Sequence, residues 1–448
     1  MTITMPKEAA KIIQILNKAG HEAYIVGGCV RDCLLGKEPK DWDITTSALP
    51  EEVKSLFHRT IDTGIQHGTV TVMMNHIGYE VTTYRIDGEY EDGRHPKEVT
   101  FTRSLGEDLR RRDFTINAMA YNETDGLVDL FDGQRDLKDG IIRCVGDPVE
   151  RFTEDALRML RAVRFSAALG FEIEENTAKA AKQMAQNLSK VSAERIQTEL
   201  IKTVISPNPI KLRAAYEFGL TKVFLPEFDT CMECVQNNPN HLYTVGEHCL
   251  RSMELIEADK VLRLTMLLHD VGKPVCKETD AEGIDHFHGH NEKSYEIAKE
   301  VLKRLKFDNA TIDKVSRYCR YHDVRIEPDK KSMRRTINRL GEDLFPGFFK
   351  VQRADVLAQS NLNREGKLSW IARNEEDYAS VIEEGECVSL KDLAVTGKDL
   401  IEAGIRPGKE IGEILNSMLN CVLEDPKNNE KSRLFELCLP KMAENREK

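Results

Sequence analysis

A chain of 448 residues, 40% of them hydrophobic, is too long for one compact core and rich enough in apolar side chains to build several, so more than one domain is expected. The formal net charge of −11 excludes a uniformly basic, nucleic-acid-coating surface. Basic residues nevertheless bunch at residues 110–112, 151–164 and 330–335, so RNA binding would need a local positive patch on an acidic protein. No apolar run is long enough to span a membrane, and eleven cysteines without regular spacing suit reduced thiols, which together point to a cytoplasmic protein with no membrane partner. Cys231-x-x-Cys234 stands alone, without the second pair that a zinc site of this type needs.

Residues 1–20 read as an amphipathic helix, with Ile12, Ile13 and Leu16 on one face and Gly20 as its stop. A strand follows at Tyr24, Ile25 and Val26 and ends in Gly27-Gly28, after which come a short helical segment and a second strand-like run, Asp41-Trp42-Asp43-Ile44. Two glycines at a strand end let the backbone approach a bulky anion, and Arg31 lies close enough in sequence to help hold phosphate oxygens with Gly28. On a strand, Asp41 and Asp43 would share one face with Cα atoms roughly 7 Å apart, a pair of hard oxygen ligands suited to Mg²⁺. Each piece alone is as well explained by a turn and a solvated strand end. The whole string, GGxVRDxLLG followed after a short gap by DxDIxT, resembles the signature of the class II nucleotidyltransferases, the tRNA CCA-adding enzymes and bacterial poly(A) polymerases.

Past the signature, a helix should start at Pro50, with strands over Thr69–Met74 and residues 79–85. Glu80, on the second strand, is either a third carboxylate of the site or half of a salt bridge. Residues 86–103 are charged, turn-rich and without periodicity, which reads as a surface loop. In the resembling family a flexible loop needed for the terminal A step stands at this place, and its YxDxRxP pattern resembles Tyr90, Asp92, Arg94 and Pro96. Ser104-x-x-Glu107 opens a helix that should run into the segment 111–118, RRDFTINA. By chemistry alone this is a helix end with a satisfied Arg-Asp pair. The run also matches the family's second motif at all eight positions, and the resemblance implies that Arg112 helps position the nucleotide.

Next comes Glu154-Asp155-Ala156-Leu157-Arg158, with Arg161 and Arg164 beyond it. Ala156, Met159, Leu160, Val163 and Ala167 form a buried helical stripe, which leaves Asp155, Arg158, Arg161 and Arg164 winding around the exposed side. Read by itself this is an ion-paired solvent face, Glu154 and Arg158 making a favourable i,i+4 pair. The resemblance to the family's EDxxR motif implies a protein template instead, with Asp155 and Arg158 bonding the base edges of CTP and ATP and Arg161 and Arg164 clamping the nucleotide. The donor and acceptor types fit cytosine and adenine and mismatch uracil and guanine.

The chain then becomes almost wholly helical. His248, His269-Asp270, His290, His322 and Asp355 fall near helix ends over about a hundred residues, a series that resembles the HD-domain metal phosphohydrolases and has the ligand types for a transition metal such as Mn²⁺, Ni²⁺ or Co²⁺. His286 and His288 are rival ligands, and a scaffold of histidines paired with carboxylates is the structural alternative. The run LAVTGKDLIEAGIRPGKEIGEILN resembles the segment that follows the HD region in CCA enzymes of this architecture, and the charged end after Asp425 is expected to be loosely ordered.

The expectation is an α+β protein: a mixed-sheet nucleotidyltransferase head at residues 1–150, a helical neck at 151–230, an HD-type body at 231–360 and a helical tail at 361–448. The resemblance implies addition of CCA to tRNA 3′ ends from CTP and ATP, with Asp41 and Asp43 on Mg²⁺. Within the family, an A-only or CC-only enzyme and a poly(A) polymerase remain open. From another class, an HD metal phosphohydrolase acting on RNA ends is the alternative, and oligomeric state is not legible.

Overall fold

The computed structural model describes residues 3–87 and 99–446. The chain divides into two compact units, Met1–Asp229 with Arg304–Lys306, and Thr230–Lys303 with Phe307–Lys448. The architecture is α+β, with the one large sheet in the first unit.

Nine strands in the N-terminal part concern the site. They are β1 (Ala23–Val26), β2 (Ile44–Thr46), β3 (Thr60–Gly64), β4 (Thr69–Met74), β5 (Ile77–Thr83), β6 (Arg85–Asp87), β7 (Val99–Phe101), β8 (Met119–Asn122) and β9 (Gly126–Asp129). Seven of them form one sheet in the order β3-β4-β5-β2-β1-β8-β9, and β6 and β7 make a separate hairpin. All neighbours in the large sheet are antiparallel except β2 and β5. The helix Lys7–Lys18 packs through Ala9, Ile12, Ile13 and Leu16, and Gly20 follows it at φ 88°. The helix Pro50–Leu56 begins at its proline, whose missing N–H costs nothing at that position.

Two local expectations change. The strand-like run at Asp41 starts only at Ile44, although the Val26 amide still donates to the Asp43 carbonyl at 3.0 Å. Continuing the parallel β2/β5 register by one residue would set Asp43 beside Glu80, two like charges in one ladder step. The helix opened by Ser104 ends at Arg110, so RRDFTINA is a turn, a 3₁₀ turn at Thr115–Asn117 and then β8. Ser104 does cap it, its hydroxyl accepting from the Glu107 amide.

The neck is built on the helix Leu157–Leu169, which is buried on nearly every side. Met159, Leu160, Val163 and Ala167 are buried as the periodicity implies, but so is Arg158, at 9% exposure, while Arg161 and Arg164 are half-buried. The expected solvent face is therefore occupied, on one side by the RRDFT segment and on another by the helix Ala193–Val204. Asp113, itself buried, accepts from Arg161 at 2.8 and 2.5 Å, and Glu199 lies 2.5 Å from Arg164 and 4.0 Å from Arg161.

The second unit is helical apart from one two-residue hairpin, Glu278–Thr279 with Asp285–His286, among the described residues. Its tail has its own core of Leu393, Val395, Leu400, Met418 and Val422, among others, and Leu434 and Cys438 of the last helix, Lys431–Arg446, are buried in it. The end after Asp425 is thus a docked helix, held by two apolar side chains four residues apart. The basic cluster at 330–335 is neutralised: Lys330 pairs with Glu384, Lys331 and Arg335 with Glu424, and Arg334 with Glu386.

Burial pushes the Asp113 carboxyl up, but the Arg161 guanidinium and the hydrogen bonds it brings more than reverse this, leaving the carboxyl lowered to about 2. A folded-state value below that of the unfolded chain stabilises above about pH 4 and is lost as pH falls towards 2, a contribution of about 2 kcal/mol at pH 7. Asp113→Asn is therefore expected to lower stability by about 2 kcal/mol at pH 7 and by about half as much at pH 3. Urea unfolding of the first unit, followed through Trp42 in a Trp370→Phe background, checks this, and a pH-independent difference would contradict the ion pairing.

Candidate active site and candidate metal centre

The first constellation forms where β1 ends. Gly27 sits at φ 79°, a backbone that L side chains rarely adopt, and a Cβ there would come within 3.0 Å of Arg112 Nη1. That glycine lets the helix Gly28–Leu34 turn off the strand directly beside the second motif. Arg31, on this helix, donates from Nη1 to Asn117 Oδ1 at 2.8 Å and from Nε and Nη2 to Asp32. Asn117 in turn donates to Asp113 Oδ1 at 3.2 Å. Arg112 lies 3.5 Å from the buried Asp108, which also accepts from Arg111 and from the Thr45 hydroxyl of β2.

Asp41 and Asp43 are both exposed, immediately ahead of β2, with Trp42 half-buried between them. The Asp43 carboxyl is pushed above the usual carboxylate range. Although the residue as a whole is exposed, partial loss of hydration around its carboxyl is the main cause, Arg112 opposes it, and the charges of Glu80 and Asp41 add to it. Asp43 thus feels two other carboxylates, Glu80 of β5 and Asp41, and one guanidinium, Arg112. An all-oxygen, electron-rich donor set of this kind fits a hard divalent cation.

The neck side chains close this region. Asp155 accepts from the Leu157 amide at 3.1 Å and from Arg195 Nη2 at 2.7 Å. Arg158 pairs with Glu154 and donates to the carbonyls of Arg151 at 3.2 Å and Arg111 at 2.9 Å. These contacts use both Nη1 hydrogens and one on Nη2, so Arg158 keeps N–H groups, and Asp155 keeps lone pairs, for a further ligand. Sequence reasoning missed Phe165. Its ring meets Phe114 edge to face at 5.7 Å and has the guanidinium carbons of Arg31, Arg161 and Arg164 at 5.3, 5.5 and 3.8 Å from its centroid. Glu199 and Arg195, on the neighbouring helix, were also missed, because their signal is spatial. The loop residues Tyr90, Asp92, Arg94 and Pro96 lie outside the described residues.

The second constellation lies wholly in the other unit. His269 and His322 cap the C-termini of the helices Lys260–Leu268 and Asn309–Tyr321, His290 opens the helix His290–Arg304, and His248 and Asp355 project from Val245–Glu254 and Phe345–Ala358. Together with Asp270, which directly follows His269, these side chains converge. His248 Nε2 is 3.2 Å from His269 Nε2, 2.9 Å from Asp355 Oδ1 and 3.6 Å from Asp270 Oδ2. On the other side, Asp270 Oδ1 is 3.5 Å from Nε2 of both His290 and His322. Two groups of potential ligands result, His248-His269-Asp270 and Asp270-His290-His322, each with donor atoms within 4.8 Å of one another.

Second contacts prepare these imidazoles. Nδ1 of His269, His290 and His322 lies 2.8–2.9 Å from the carbonyls of Met266, Phe287 and Cys319, which assigns the proton to Nδ1 and turns the Nε2 lone pair inward. Asp270 Oδ1 and His290 Nε2 are buried without a well-formed hydrogen bond, and Asp270 Oδ2 is paired with Lys273 Nζ at 2.7 Å. A convergent His/Asp donor set in which Asp270 Oδ1 and His290 Nε2 are left without a hydrogen bond fits a transition metal. Gly272 allows the approach, since a Cβ there would meet the His290 carbonyl at 2.4 Å. His286 and His288 belong to neither group: His286 bonds Asp280 at 2.7 Å, and the two rings stack on each other. Cys231 and Cys234 are free thiols, Cys231 in an apolar cluster.

Comparison with known proteins places these features in a family. The family description "Poly A polymerase head domain" fits residues 23–143, "Probable RNA and SrmB- binding site of polymerase A" fits 170–232, and "tRNA nucleotidyltransferase domain 2 putative" fits 287–438. The chain is 38% identical over 434 residues to the CCA-adding enzyme of Levilactobacillus brevis, covering 96% of this chain and 97% of that one. It is 38% identical over 434 residues to the CCA-adding enzyme of Enterococcus faecalis, covering 96% and 94%. Among solved structures, the Bacillus stearothermophilus CCA-adding enzyme in complex with CTP matches with a TM-score of 0.71 and 30% identity, over 99% of this chain and 100% of that one. With curated relatives matched end to end and a mixed-sheet head that ends in paired carboxylates, the chain belongs to the CCA-adding enzyme family of nucleotidyltransferases.

Proposed function

We propose that this nucleotidyltransferase extends tRNA 3′ ends with C, C and A from CTP and ATP through the residues converging at the end of β1. The observation that carries the reading is the end-to-end match to CCA-adding enzymes on a chain that sets Asp41 and Asp43 immediately ahead of β2, with Arg31, Arg112 and Asn117 held together at the end of β1. Asp41 and Asp43 are the residues that would hold Mg²⁺. When bound, that ion would supply Lewis-acid activation of the tRNA 3′-hydroxyl and charge neutralisation of the departing pyrophosphate. Gly28 and Arg31 address the triphosphate, and Arg112 orients it. The open N–H groups of Arg158 and lone pairs of Asp155 meet a base edge, and a site built on hydrogen bonds rejects uracil and guanine by leaving its own groups unpaired. Arg161 and Arg164 hold the selecting helix in place while keeping positive charge near the phosphates.

A second reading is carried by Asp270, which faces both groups of histidines at once. The residues His248, His269, Asp270 and Asp355 would hold one transition metal ion, and Asp270, His290 and His322 a second. Such ions, when bound, would supply a water nucleophile near neutral pH. Lys273 neutralises part of the Asp270 charge. The function we assign to this site is removal of a phosphate or 2′,3′-cyclic phosphate from a damaged RNA 3′ end, which must be cleared before nucleotides are added.

Asp41→Ala and Asp43→Ala are each expected to cut nucleotide incorporation by more than about 100-fold while tRNA affinity, measured by filter binding, stays near wild type, because the carboxylates serve cations and not the RNA backbone. Incorporation within about ten-fold of wild type would sink the assignment. For the second site, protein reconstituted with Mn²⁺, Ni²⁺ or Co²⁺ is expected to retain the metal through gel filtration, by elemental analysis, and to open a 2′,3′-cyclic phosphate. The double variant His269→Ala with Asp270→Ala should lose both the metal and this hydrolysis and keep CCA addition. Absence of retained metal together with absence of hydrolysis under every ion would remove the second site.

A further inference from the structure

The His/Asp cluster opens into a cavity of about 910 Å³ within the second unit. That volume falls in the range of about 300–1,000 Å³ found for small-molecule sites. Part of its wall comes from outside the ligand series. The helix Arg364–Glu383 sets Lys367, Trp370 and Ile371 along the cavity, at positions i, i+3 and i+4 of one helical face. Ile371 is buried and anchors that face, whereas Trp370 is 37% exposed, a large aromatic surface left uncovered at the rim.

The polar partners of this wall lead back to the cluster. Lys367 Nζ donates to Gln359 Oε1 at 2.8 Å and Asn240 Oδ1 at 3.1 Å, and Gln359 Nε2 donates to Asp355 Oδ2 at 3.1 Å. One ammonium hydrogen of Lys367 is left over. Arg325 is exposed and lines the same cavity. The spare hydrogen of Lys367 and the Arg325 guanidinium offer donors to an anion on this side of the cavity, and the aromatic face of Trp370 beside them suits a base. Stacking on an aromatic side chain tolerates any base, so the arrangement selects for nucleotide character without selecting sequence.

We propose that Lys367, Arg325 and Trp370 form the recognition wall of this cavity and that it takes a nucleoside phosphoester, the base against Trp370 and the phosphate between Lys367 and Arg325. The substrate class rests on the phosphohydrolase reading of the His/Asp cluster, while recognition of the nucleotide does not. The ligand is either a free nucleotide or the last nucleotide of a single-stranded RNA end, and these share the same chemistry.

The chain has two tryptophans, Trp42 and Trp370, so Trp42→Phe leaves Trp370 as the sole reporter. Titration of this metal-free protein with cytidine 3′-monophosphate is expected to quench its fluorescence saturably. Lys367→Ala should weaken that binding about ten-fold and leave the weaker binding of cytidine unchanged. In metal-loaded protein, Trp370→Ala should raise KM for a 2′,3′-cyclic nucleotide about ten-fold with kcat and metal content unaltered, and Trp370→Phe should restore it. The same comparison on a tRNA ending in a cyclic phosphate separates the two sources: an effect on that substrate alone identifies an RNA end, and an effect on the free compound alone identifies a nucleotide. If the protein holds no metal and hydrolyses nothing, the phosphohydrolase reading fails and the fluorescence titration still decides recognition. No quenching, or a Trp370→Ala variant with unchanged KM on both substrates, would overturn the proposal.

Discussion

The buried carboxylate of Asp113 is the constraint on which the first site depends. It accepts from Arg161 on one oxygen and from Asn117 and its own following amide on the other. Asn117 accepts from Arg31, so the segment after β1, the RRDFT segment and the neck helix are tied through one acid, although Arg31 and Asn117 lie 86 residues apart in sequence and Asp113 and Arg161 lie 48 apart. Arg161 and Arg164 then share Glu199, and Arg31, Arg161 and Arg164 all meet the Phe165 ring. Each member of such a net is costly to remove, because the partner left behind is a buried and uncompensated charge. The cost is what makes the geometry specific. A guanidinium bound on two sides cannot drift, so a nucleotide meets fixed donors instead of ordering mobile ones.

The second unit reaches a comparable result by different means. Two of its candidate ligands, His269 and His322, sit at helix C-termini, where the last carbonyls lack intrahelical partners and take the Nδ1 proton of a histidine. That one contact satisfies the helix and fixes the tautomer. Asp270 follows His269 directly, so one helix end contributes two donors of different type, and Gly272 then lets the His290 helix approach without a clash. Part of the remaining cavity wall comes from the helix Arg364–Glu383, whose Lys367 is linked through Gln359 to Asp355.

Much of this was legible in the chain, and the failures have physical causes. Gly20, Pro50 and the alternation over Thr69–Met74 are local signals, so the elements they mark lie where periodicity and capping put them. The strand start at Ile44, the short helix before RRDFT and the burial of Arg158 depend on partners far away in sequence. Glu154 is a visible i,i+4 neighbour of Arg158, but the carbonyls of Arg111 and Arg151 that complete its bonding follow no side-chain pattern. The same holds for the basic run at 330–335, which reads as a positive patch until Glu384, Glu386 and Glu424 fold against it. In the second site the residue types were enough to nominate ligands. Separating His290 from His286 and His288 required knowing which ring opens a helix towards Asp270 and which one bonds Asp280.

The most direct test of the account is a product-sequencing assay with three transcripts of one tRNA, ending before the first C, after CC, and complete, each supplied with CTP and ATP and, separately, with UTP and GTP. The account predicts that the first gains C, C and A, the second gains a single A, the third gains nothing, and neither UTP nor GTP is incorporated. Long adenosine tails on any of the three, arrest after CC, or addition confined to the terminal A would contradict it.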